Sequence, residues 1–461
     1  MTTIDRDITR RLRKVLGKRG ILDSPADLVS YSYDATTDWQ AMPELVLLPE
    51  TKEQVSEIMK IAHENEIPVT VRGAGTNVSG GSIPISKGIV LCTTRMNRIL
   101  KLDKDNLYVH VEAGVVLNNL YEFLKKYGLF FPPDPQSFLA ATIGGCVSEN
   151  SGGPYAVKYG VFKHYLLGLS VVLPNGTIME MGGRTVKNVT GYDLPQLICG
   201  SEGTLAVVTD VILKVLPMPE ARKTIMAAFK NVISAGQVVS EIVSNGIIPS
   251  KIELMDNWIV NRIEELNPIG LPTDSDAVLL FEVDGMTEAV EREAQQISEI
   301  CRKNKELMML RIAEDDKEAE MLWNARRAGF SAIFSHASTV LAEDVTVPPK
   351  RLPDLIVRIK EIAKRHDLTI VIIGHAGDGN LHPSILTDKN DPGHYKKAQE
   401  AVEEIFSSAI DMEGAISGEH GIGLEKRRFL RKILPEDEIE LLKKIKRVFD
   451  PKGILNPGKI W

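Results

Sequence analysis

The sequence predicts an α+β fold, and three observations indicate it. Two tandem strand–helix–strand units occupy about residues 220–312, which suggests a sheet with helices packed on it. A separate part, from Pro43 to about Pro219, is rich in strands and in glycine. The composition, 43% hydrophobic and 25% charged, is that of an ordinary globular protein. The 461 residues suffice for two or three domains with cores of their own.

The first part opens with regular elements and then a glycine loop. Its first elements are predicted as a helical lead-in over residues 1–42, strand Glu44–Leu48, helix Lys52–Asn65 and strand Pro68–Arg72. The loop Gly73–Gly81 then runs into a strand at 88–91. A Rossmann turn opens a helix, so this context argues against a Rossmann fold. The backbone N–H groups of such a loop can still form a nest for a pyrophosphate.

The second part predicts an antiparallel sheet that is covered by helices on one face. Its elements are predicted as strand Thr224–Phe229, helix Val232–Asn245, strand Pro249–Met255, strand Ala277–Val283, helix Glu288–Lys303 and strand Leu307–Ala313. Further along, the pattern predicts helix Asp315–Phe334, a strand near Val340–Val347, helix Leu352–His366, a histidine hairpin, helix Tyr395–Met412 and helix Glu436–Phe449.

The histidine hairpin is the most informative segment. A two-residue turn at Asp378-Gly379 pairs His375 directly with His382, with Cβ atoms roughly 5 Å apart. Two imidazoles so placed could share a cation, with a third ligand from Glu419 or His420 in a glycine-flanked run. Such a set suits Zn²⁺, Fe²⁺ or Mn²⁺. The spacing alone equally allows two histidines that hydrogen-bond to backbone.

Several classes of function are disfavoured by composition. The net charge is −7 and no basic stripe is visible, which argues against a nucleic-acid partner. No apolar run approaches the ~20 residues of a membrane span, and a signal-peptide core is absent, so a cytoplasmic protein is predicted. The four cysteines, Cys92, Cys146, Cys199 and Cys301, are scattered and form no C-x-x-C pair. Any redox centre must therefore be an added cofactor.

Further motifs combine glycine with hydroxyl side chains where backbone must approach a ligand closely. They are ATIGG at 141–145, NSGG at 150–153 and GSEGTL at 200–205. Together with RGAGT…SGG at 72–81, GH-x-GDGNLH at 374–382, GEHGIG at 418–423 and DPKGILNPGK at 450–459, they resemble the FAD-dependent 2-hydroxyacid dehydrogenases of the vanillyl-alcohol-oxidase superfamily. That group contains the glycolate oxidase catalytic subunit, D-lactate dehydrogenases and D-2-hydroxyglutarate dehydrogenase. The resemblance covers nearly the whole chain from Pro43 onward.

The resemblance implies a two-part FAD-binding domain of the vanillyl-alcohol-oxidase type and an α+β substrate (cap) domain with tandem βαβ units. The implied boundaries are 1–42 for the lead-in, 43–219 for the FAD-binding domain, 220–412 for the substrate domain with the metal site, and 413–461 for a C-terminal segment that returns to the FAD domain.

The resemblance also implies the site residues. FAD would be non-covalent, because the loop has no His or Cys where some relatives attach it. The residues implied for FAD are Arg72, Gly73, Ala74, Gly75, Thr76, Asn77, Ser79, Gly80, Pro133, Asp134, Thr142, Gly144, Gly145, Asn150, Ser151, Gly152, Gly153, Glu202, Gly203, Val207, Val208 and Asn456. The implied ligands of one divalent ion are His375, His382 and Glu419. His420 corresponds to the base, and Arg326 to the arginine that binds the substrate carboxylate. From the helical pattern alone, Arg326 is predicted to be solvated.

Departures from the family pattern bear on the substrate. Relatives specific for hydroxyglutarate bind its distal carboxylate with a Thr and a Lys, at positions that are Phe330 and Ala342 here, and Ser384 replaces an Asn. The implied substrate is a small D-2-hydroxy acid, with D-lactate favoured over glycolate. The implied electron acceptor is an electron-transfer flavoprotein, an iron–sulfur subunit or a quinone.

Three alternatives stay open at this point. A D-2-hydroxyglutarate dehydrogenase would need other residues for the second carboxylate. A non-catalytic FAD-binding electron-transfer subunit should lack the metal triad. A metal-dependent hydrolase would explain the histidines but would leave the glycine loops without a purpose.

Overall fold

The computed structural model describes residues 4–36 and 38–461. The α-helices are α1 (Arg6–Leu16), α2 (Pro25–Val29), α3 (Lys52–Glu64), α4 (Leu117–Lys125), α5 (Ile143–Glu149), α6 (Ala156–Tyr159), α7 (Leu194–Ile198), α8 (Val232–Ser244), α9 (Asn257–Leu266), α10 (Thr287–Lys303), α11 (Asp316–Phe334), α12 (Leu352–His366), α13 (Pro392–Asp411) and α14 (Glu436–Phe449).

The strands of the first half are β1 (Ile21–Leu22), β2 (Leu45–Leu47), β3 (Val69–Arg72), β4 (Ile89–Cys92), β5 (Ile99–Asp103), β6 (Tyr108–Glu112), β7 (Leu129–Phe130), β8 (Leu166–Val172), β9 (Ile178–Gly182), β10 (Val207–Lys214) and β11 (Leu216–Pro217). Those of the second half are β12 (Ala221–Phe229), β13 (Lys251–Asp256), β14 (Ala277–Gly285), β15 (Leu307–Ile312), β16 (Thr339–Ala342), β17 (Val345–Thr346), β18 (Thr369–His375) and β19 (Asn380–Thr387).

The chain divides into two compact units. The first comprises the residues up to Ser151, Val161–Met218 and Glu419–Trp461, and the second comprises Gly152–Gly160 and Pro219–Gly418. None of the helices within the described residues combines the length and the apolar character that a membrane crossing requires.

The first unit contains a four-stranded and a five-stranded sheet. In the four-stranded sheet, order β1-β2-β4-β3, the strands β2 and β3 run parallel to β4, and α3 packs against it through the apolar face that the sequence predicts. The lead-in is not wholly helical, because Ile21-Leu22 pairs with β2 and extends this sheet. The five-stranded sheet, order β5-β6-β10-β8-β9, is antiparallel throughout.

The second unit is built on one antiparallel sheet of eight strands. Seven follow the order β15-β12-β14-β13-β18-β19-β16, and β17 also pairs with β19. The expectation of helices on one face is wrong. Helices α9 and α11 pack on the side chains of Met226 and Leu280, while the alternate residues Ala227 and Phe281 are also fully buried, and α8, α10 and α12 contact these strands as well. Side chains alternate across a strand, so burial of both sets requires cover on both faces.

Candidate functional site

The glycine loop of the first unit is ordered by its own side chains. It starts at Arg72, the last residue of β3, and Gly75 and Gly80 have φ of +74° and +79°. The Asn77 Oδ1 atom accepts hydrogen bonds from the backbone N–H of Ser79 at 3.0 Å and of Gly81 at 2.7 Å. The Asn77 carboxamide oxygen is therefore used to shape the loop.

Residues distant in sequence meet this loop. The Asn456 Nδ2 atom donates to the carbonyls of Gly81, at 3.2 Å, and Glu202, at 2.7 Å. The ammonium of Lys459 donates to the carbonyl of Gly80 at 2.5 Å, and burial lowers the pKa of Lys459 to about 8. The C-terminal tail and the GSEGTL motif thus frame the loop, as their resemblance to family motifs implies.

Besides Oε2 of Glu149, whose carboxylate lies next to Gly81, two buried polar atoms near the loop have no hydrogen-bond partner among the described residues. They are Oγ1 of Thr142 and Oδ1 of Asn456. A Cβ atom on Gly73 would collide with the Thr142 hydroxyl, so the glycine lets backbone and hydroxyl approach closely. Buried polar groups are almost always hydrogen-bonded, and a polar ligand would satisfy these two. These residues therefore fit the FAD that the sequence motifs imply.

Other residues implied for FAD have visible internal roles. Asn150 ends α5 with a φ of +53°, and its Oδ1 accepts from the backbone N–H of Lys163 at 3.0 Å. The side chain of Val207 lies in the core of the four-stranded sheet. Gly152 and Gly153 belong to the second unit. Val208 lies in strand β10, and the remaining ones lie in the first unit, in loops, in helix α5 or at the end of β3.

The segment that carries His420 is anchored to the glycine loop. The Glu202 carboxylate accepts from the backbone N–H of Ile422 at 2.8 Å and of Gly423 at 2.7 Å. The N–H of Leu424 donates to the carbonyl of Ser79 at 2.7 Å. Hence His420 is carried by the same unit as the glycine loop, on a backbone that is fixed just beyond it.

The histidine hairpin differs from its predicted register. Ile373 pairs with His382 and His375 with Asn380, so the two histidines are diagonal neighbours and not directly opposite. The predicted two-residue turn requires positive φ at both central residues, and only Gly379 has it. Ala376–Asp378 forms a 3-10 turn instead. Because the shift is by two residues, both histidines keep the same face of the sheet.

The two imidazoles remain close in this register. Their ring centroids are 5.1 Å apart with an interplanar angle of 84°, and a ring nitrogen of each lies within 4.8 Å of one of the other. Both side chains are buried. Two buried nitrogen donors at this separation fit a shared metal ion.

A buried carboxylate that the sequence did not single out lies beside them. Glu253 pairs with His375 across β13 and β18, and its Oε1 is 2.7 Å from His375 Nδ1. Its Oε2 lies 2.6 Å from Nη2 of Arg326. Burial by itself raises the pKa of Glu253. The charges of His375 and Arg326 lower it by more, so the pKa of Glu253 lies below its usual value. In the sequence, Glu253 resembles any polar residue on the solvent face of a strand.

The expectation that Arg326 is solvated is wrong. Its side chain is only 8% exposed, in the middle of α11. Its Nε atom is buried without a hydrogen-bond partner among the described residues. A buried guanidinium with a free N–H is suited to receive a carboxylate.

The positions that depart from the family pattern lie in the same unit. Phe330 is one turn after Arg326 on α11 and contacts the ring of Phe334, with ring centroids 4.6 Å apart and an interplanar angle of 42°. Ala342 and Ser384 are paired on the adjacent strands β16 and β19. Ser384 is fully buried, and its hydroxyl donates to the carbonyl of His382 at 3.4 Å.

Comparisons with known proteins agree with this arrangement. Residues 43–182 match the family described as FAD binding domain, and residues 218–460 match the C-terminal domain of FAD linked oxidases. The chain is 42% identical to the glycolate oxidase subunit GlcD of Bacillus subtilis (strain 168), over 99% of this chain and 97% of that protein. It is 36% identical to a D-lactate dehydrogenase of Anaerostipes hadrus, over 91% of this chain and 90% of that protein.

Solved structures show the same fold at low identity. p-Cresol methylhydroxylase with substrate bound has a TM-score of 0.81 at 18% identity, covering 98% of this chain and 96% of its own. Alkyldihydroxyacetonephosphate synthase has a TM-score of 0.79 at 21% identity, covering 99% and 86%. The predicted α+β fold of the vanillyl-alcohol-oxidase type is confirmed. With both family matches and the relatives at 36–42% identity, the chain belongs to the FAD-linked oxidases and is an FAD-dependent oxidoreductase.

Proposed function

We propose that this enzyme oxidises a small D-2-hydroxy acid, D-lactate in preference to glycolate, to the 2-oxo acid. The observation that carries the proposal is the buried Arg326, with an unpartnered Nε, which shares the carboxylate of Glu253 with His375. A guanidinium binds a carboxylate, and metal-ligating histidines suit the neighbouring hydroxyl. A 2-hydroxy acid offers both groups on adjacent carbon atoms.

We propose that one divalent ion, Zn²⁺, Fe²⁺ or Mn²⁺, is held by His375, His382 and Glu419. These three residues offer two ring nitrogens and a carboxylate oxygen, which are the donor atoms that such ions prefer. Glu419 follows Gly418, where an added Cβ would collide with Thr346 and Asn380, so the chain is closely packed just before it. A bound ion lowers the pKa of a hydroxyl that it contacts.

The protein's own residues then orient the substrate and take its proton. Arg326 fixes the carboxylate, and this positioning supplies much of the rate. His420 accepts the hydroxyl proton as general base. FAD, when bound beside the glycine loop, accepts the hydride from Cα, which no side chain can do.

The absence of polar groups at Phe330 and Ala342 supports a monocarboxylate. In D-2-hydroxyglutarate dehydrogenase, by the family pattern, these positions supply a hydroxyl and an ammonium. Here they supply an aromatic ring that packs against Phe334 and a methyl group. A second carboxylate would therefore meet no charge of opposite sign at these two positions.

We propose that the reduced flavin passes electrons to a protein partner or to a quinone. The curated relatives include chains named as subunits of glycolate oxidase, which supports a partner subunit. An electron-transfer flavoprotein or an iron–sulfur subunit is the kind of partner proposed, since the four free cysteines are dispersed in sequence.

The visible spectrum of the purified protein tests this proposal. We expect flavin absorption that bleaches on anaerobic addition of D-lactate, and an acid-precipitated sample should release the flavin into the supernatant. A flavin that D-lactate and glycolate leave oxidised would contradict the proposed activity and favour a passive electron-transfer subunit. Flavin that stays on the precipitate would contradict non-covalent binding.

A further inference from the structure

We infer that Glu253 is a positioning residue that holds His375 in the tautomer needed to bind the metal and at the same time orients Arg326. The inference rests on the proposed function, because it assigns a role toward the proposed metal ion and the proposed substrate carboxylate. Glu253 would touch neither ligand. It would act through the two side chains that do.

Each oxygen of Glu253 has its own contact, Oε1 a hydrogen bond and Oε2 an ion pair that lacks hydrogen-bond geometry. Oε1 lies 2.7 Å from Nδ1 of His375 and Oε2 lies 2.6 Å from Nη2 of Arg326. The Glu253 side chain is completely buried, so water does not replace either partner. One carboxylate is therefore shared between two side chains from different elements, β18 and α11.

The contact with Nδ1 fixes the tautomer of His375. A carboxylate only accepts hydrogen bonds, so Nδ1 must carry the proton. In the neutral ring, Nε2 is then the atom with a lone pair. Carboxylate–histidine contacts of this kind orient metal-bound imidazoles and increase their basicity. Glu253 therefore selects Nε2 of His375 as the metal-binding atom.

The contact with Glu253 uses one nitrogen of the Arg326 guanidinium and leaves the others for the substrate carboxylate. Nη2 is held by Glu253, whereas Nε is buried without a partner among the described residues. The remaining N–H groups are thereby held in one orientation for an incoming carboxylate. An arginine without this contact would have to be ordered by the substrate itself, at a cost in affinity.

An amide cannot perform both tasks. Gln has one acceptor oxygen in place of two, so Glu253→Gln must deprive either His375 or Arg326 of its acceptor. Asp256→Asn is the matched control, because it removes another buried carboxylate from the same strand. Asp256 accepts from the backbone N–H groups of Ile259 and Ile372 and is no part of the proposed site.

The experiment measures metal binding by full-length protein with its flavin. After metal removal, Zn²⁺ affinity is determined against a chromophoric chelator, and Co²⁺ is added separately for its visible spectrum. We expect Glu253→Gln to weaken Zn²⁺ binding by about 10–100-fold, to alter the Co²⁺ bands and to raise KM. Asp256→Asn should leave Zn²⁺ affinity and the Co²⁺ bands as in the wild type, and flavin content should be equal in all three proteins.

Each result of the Zn²⁺ and Co²⁺ measurements either supports or overturns the role of Glu253. Wild-type Zn²⁺ affinity and Co²⁺ bands in Glu253→Gln would overturn the role of Glu253 while leaving the metal site intact. An equal loss in Asp256→Asn would overturn it too, because any buried charge would then matter. A wild-type protein that binds no Zn²⁺ would overturn the proposed metal site and this inference with it.

A measurement on the wild type covers the case in which Glu253→Gln does not fold. In metal-free protein with ¹⁵N-labelled histidine, the resonances that vanish in His375→Asn belong to His375. We expect them to report a proton on Nδ1. A proton on Nε2 would overturn the inference.

Discussion

At the scale of single residues, chemistry is predictable from the sequence and environment is not. His375 and His382 were singled out by spacing, and the structure brings their rings to a centroid separation of 5.1 Å. Arg326 was predicted to be solvated and is buried, because the partner that neutralises it, Glu253, lies 73 positions earlier on a strand. No local pattern contains that pairing. The family resemblance singles out Arg326, whereas periodicity does not.

Replacement of one imidazole should separate the metal from the flavin. We expect His382→Ala to lose the metal ion and most turnover, because one of three proposed ligands is gone, while FAD stays bound by the loops of the other unit. Elemental analysis and the flavin spectrum of the purified variant measure both. Full metal occupancy in this variant would contradict the assignment of His382.

At the scale of elements, the sequence predicts which helices and strands exist better than it predicts their pairing and turns. Helix Glu436–Phe449 and the apolar face of α3 agree with the sequence pattern. The register of the histidine hairpin differs from the predicted one. The register depends on the φ of Asp378, which the Asp-Gly dipeptide does not determine by itself. Helix α9 was missed as well, because it follows β13 without a connecting residue.

The glycine loop should not tolerate a side chain at Gly75. Its φ is +74°, and a Cβ atom there would collide with the buried guanidinium of Arg72. The obstruction is thus within the loop and precedes any ligand. We expect Gly75→Val to be purified with little or no flavin, as measured by absorbance at equal protein concentration.

Gly128 provides the matched control for that variant. Its φ is +68°, but no atom lies within 4 Å of an added Cβ. Gly128→Val therefore carries a similar backbone penalty, about 1–2 kcal/mol, without the collision. Flavin should be retained in this protein. Equal flavin loss in both variants would show that backbone strain alone, and not the collision with Arg72, empties the site.

Asp256, which ends β13 and caps α9, should make the free energy of unfolding depend on pH. Burial raises the pKa of Asp256 from 3.8 to about 6. The folded protein then holds this proton more tightly than the unfolded chain, so the contribution of Asp256 to stability is greatest below about pH 4 and falls as pH rises to about 6. About two pKa units correspond to about 3 kcal/mol.

Comparison with Asp256→Asn isolates this contribution. The variant cannot titrate there, so the wild type should lose stability relative to it between pH 4 and 6 and not beyond. Urea unfolding at several pH values measures the difference. A stability difference that is constant across this range would contradict the raised pKa of Asp256.

At the scale of the whole molecule, the order of the motifs predicted the fold class, but the assembly of each unit is not sequential. Residues 152–160 lie amid the motifs implied for FAD, yet they pack with the second unit, where Tyr155 and Lys158 bond to Glu282 and Asp284. The assignment of such a segment to the other unit follows from contacts between side chains that are far apart in the sequence. Periodicity, which is local, does not report them.

Substrate choice is a property of the complete molecule. D-2-hydroxyglutarate would bring a second carboxylate to a region where Phe330 and Ala342 offer no charge. Leaving a buried charge unpaired costs about 3–5 kcal/mol, and even a loss of about 2.7 kcal/mol is about a hundredfold in kcat/KM. We expect D-lactate to exceed D-2-hydroxyglutarate by at least that factor, with L-lactate poor. Similar kcat/KM values for the two D-acids would show that other residues bind the second carboxylate.

The tail that frames the glycine loop has a consequence for biosynthesis. Asn456 and Lys459 bond to Gly81 and Gly80, which the ribosome produces more than 370 residues earlier. A nascent chain cannot complete this set of contacts until Asn456 and Lys459 have left the ribosome, so we expect flavin uptake to wait for these two residues. A chain truncated before Leu455 should be purified without flavin absorbance even when residues 43–219 are folded. Incorporation of the vitamin-derived cofactor would in this way report that translation had passed Lys459.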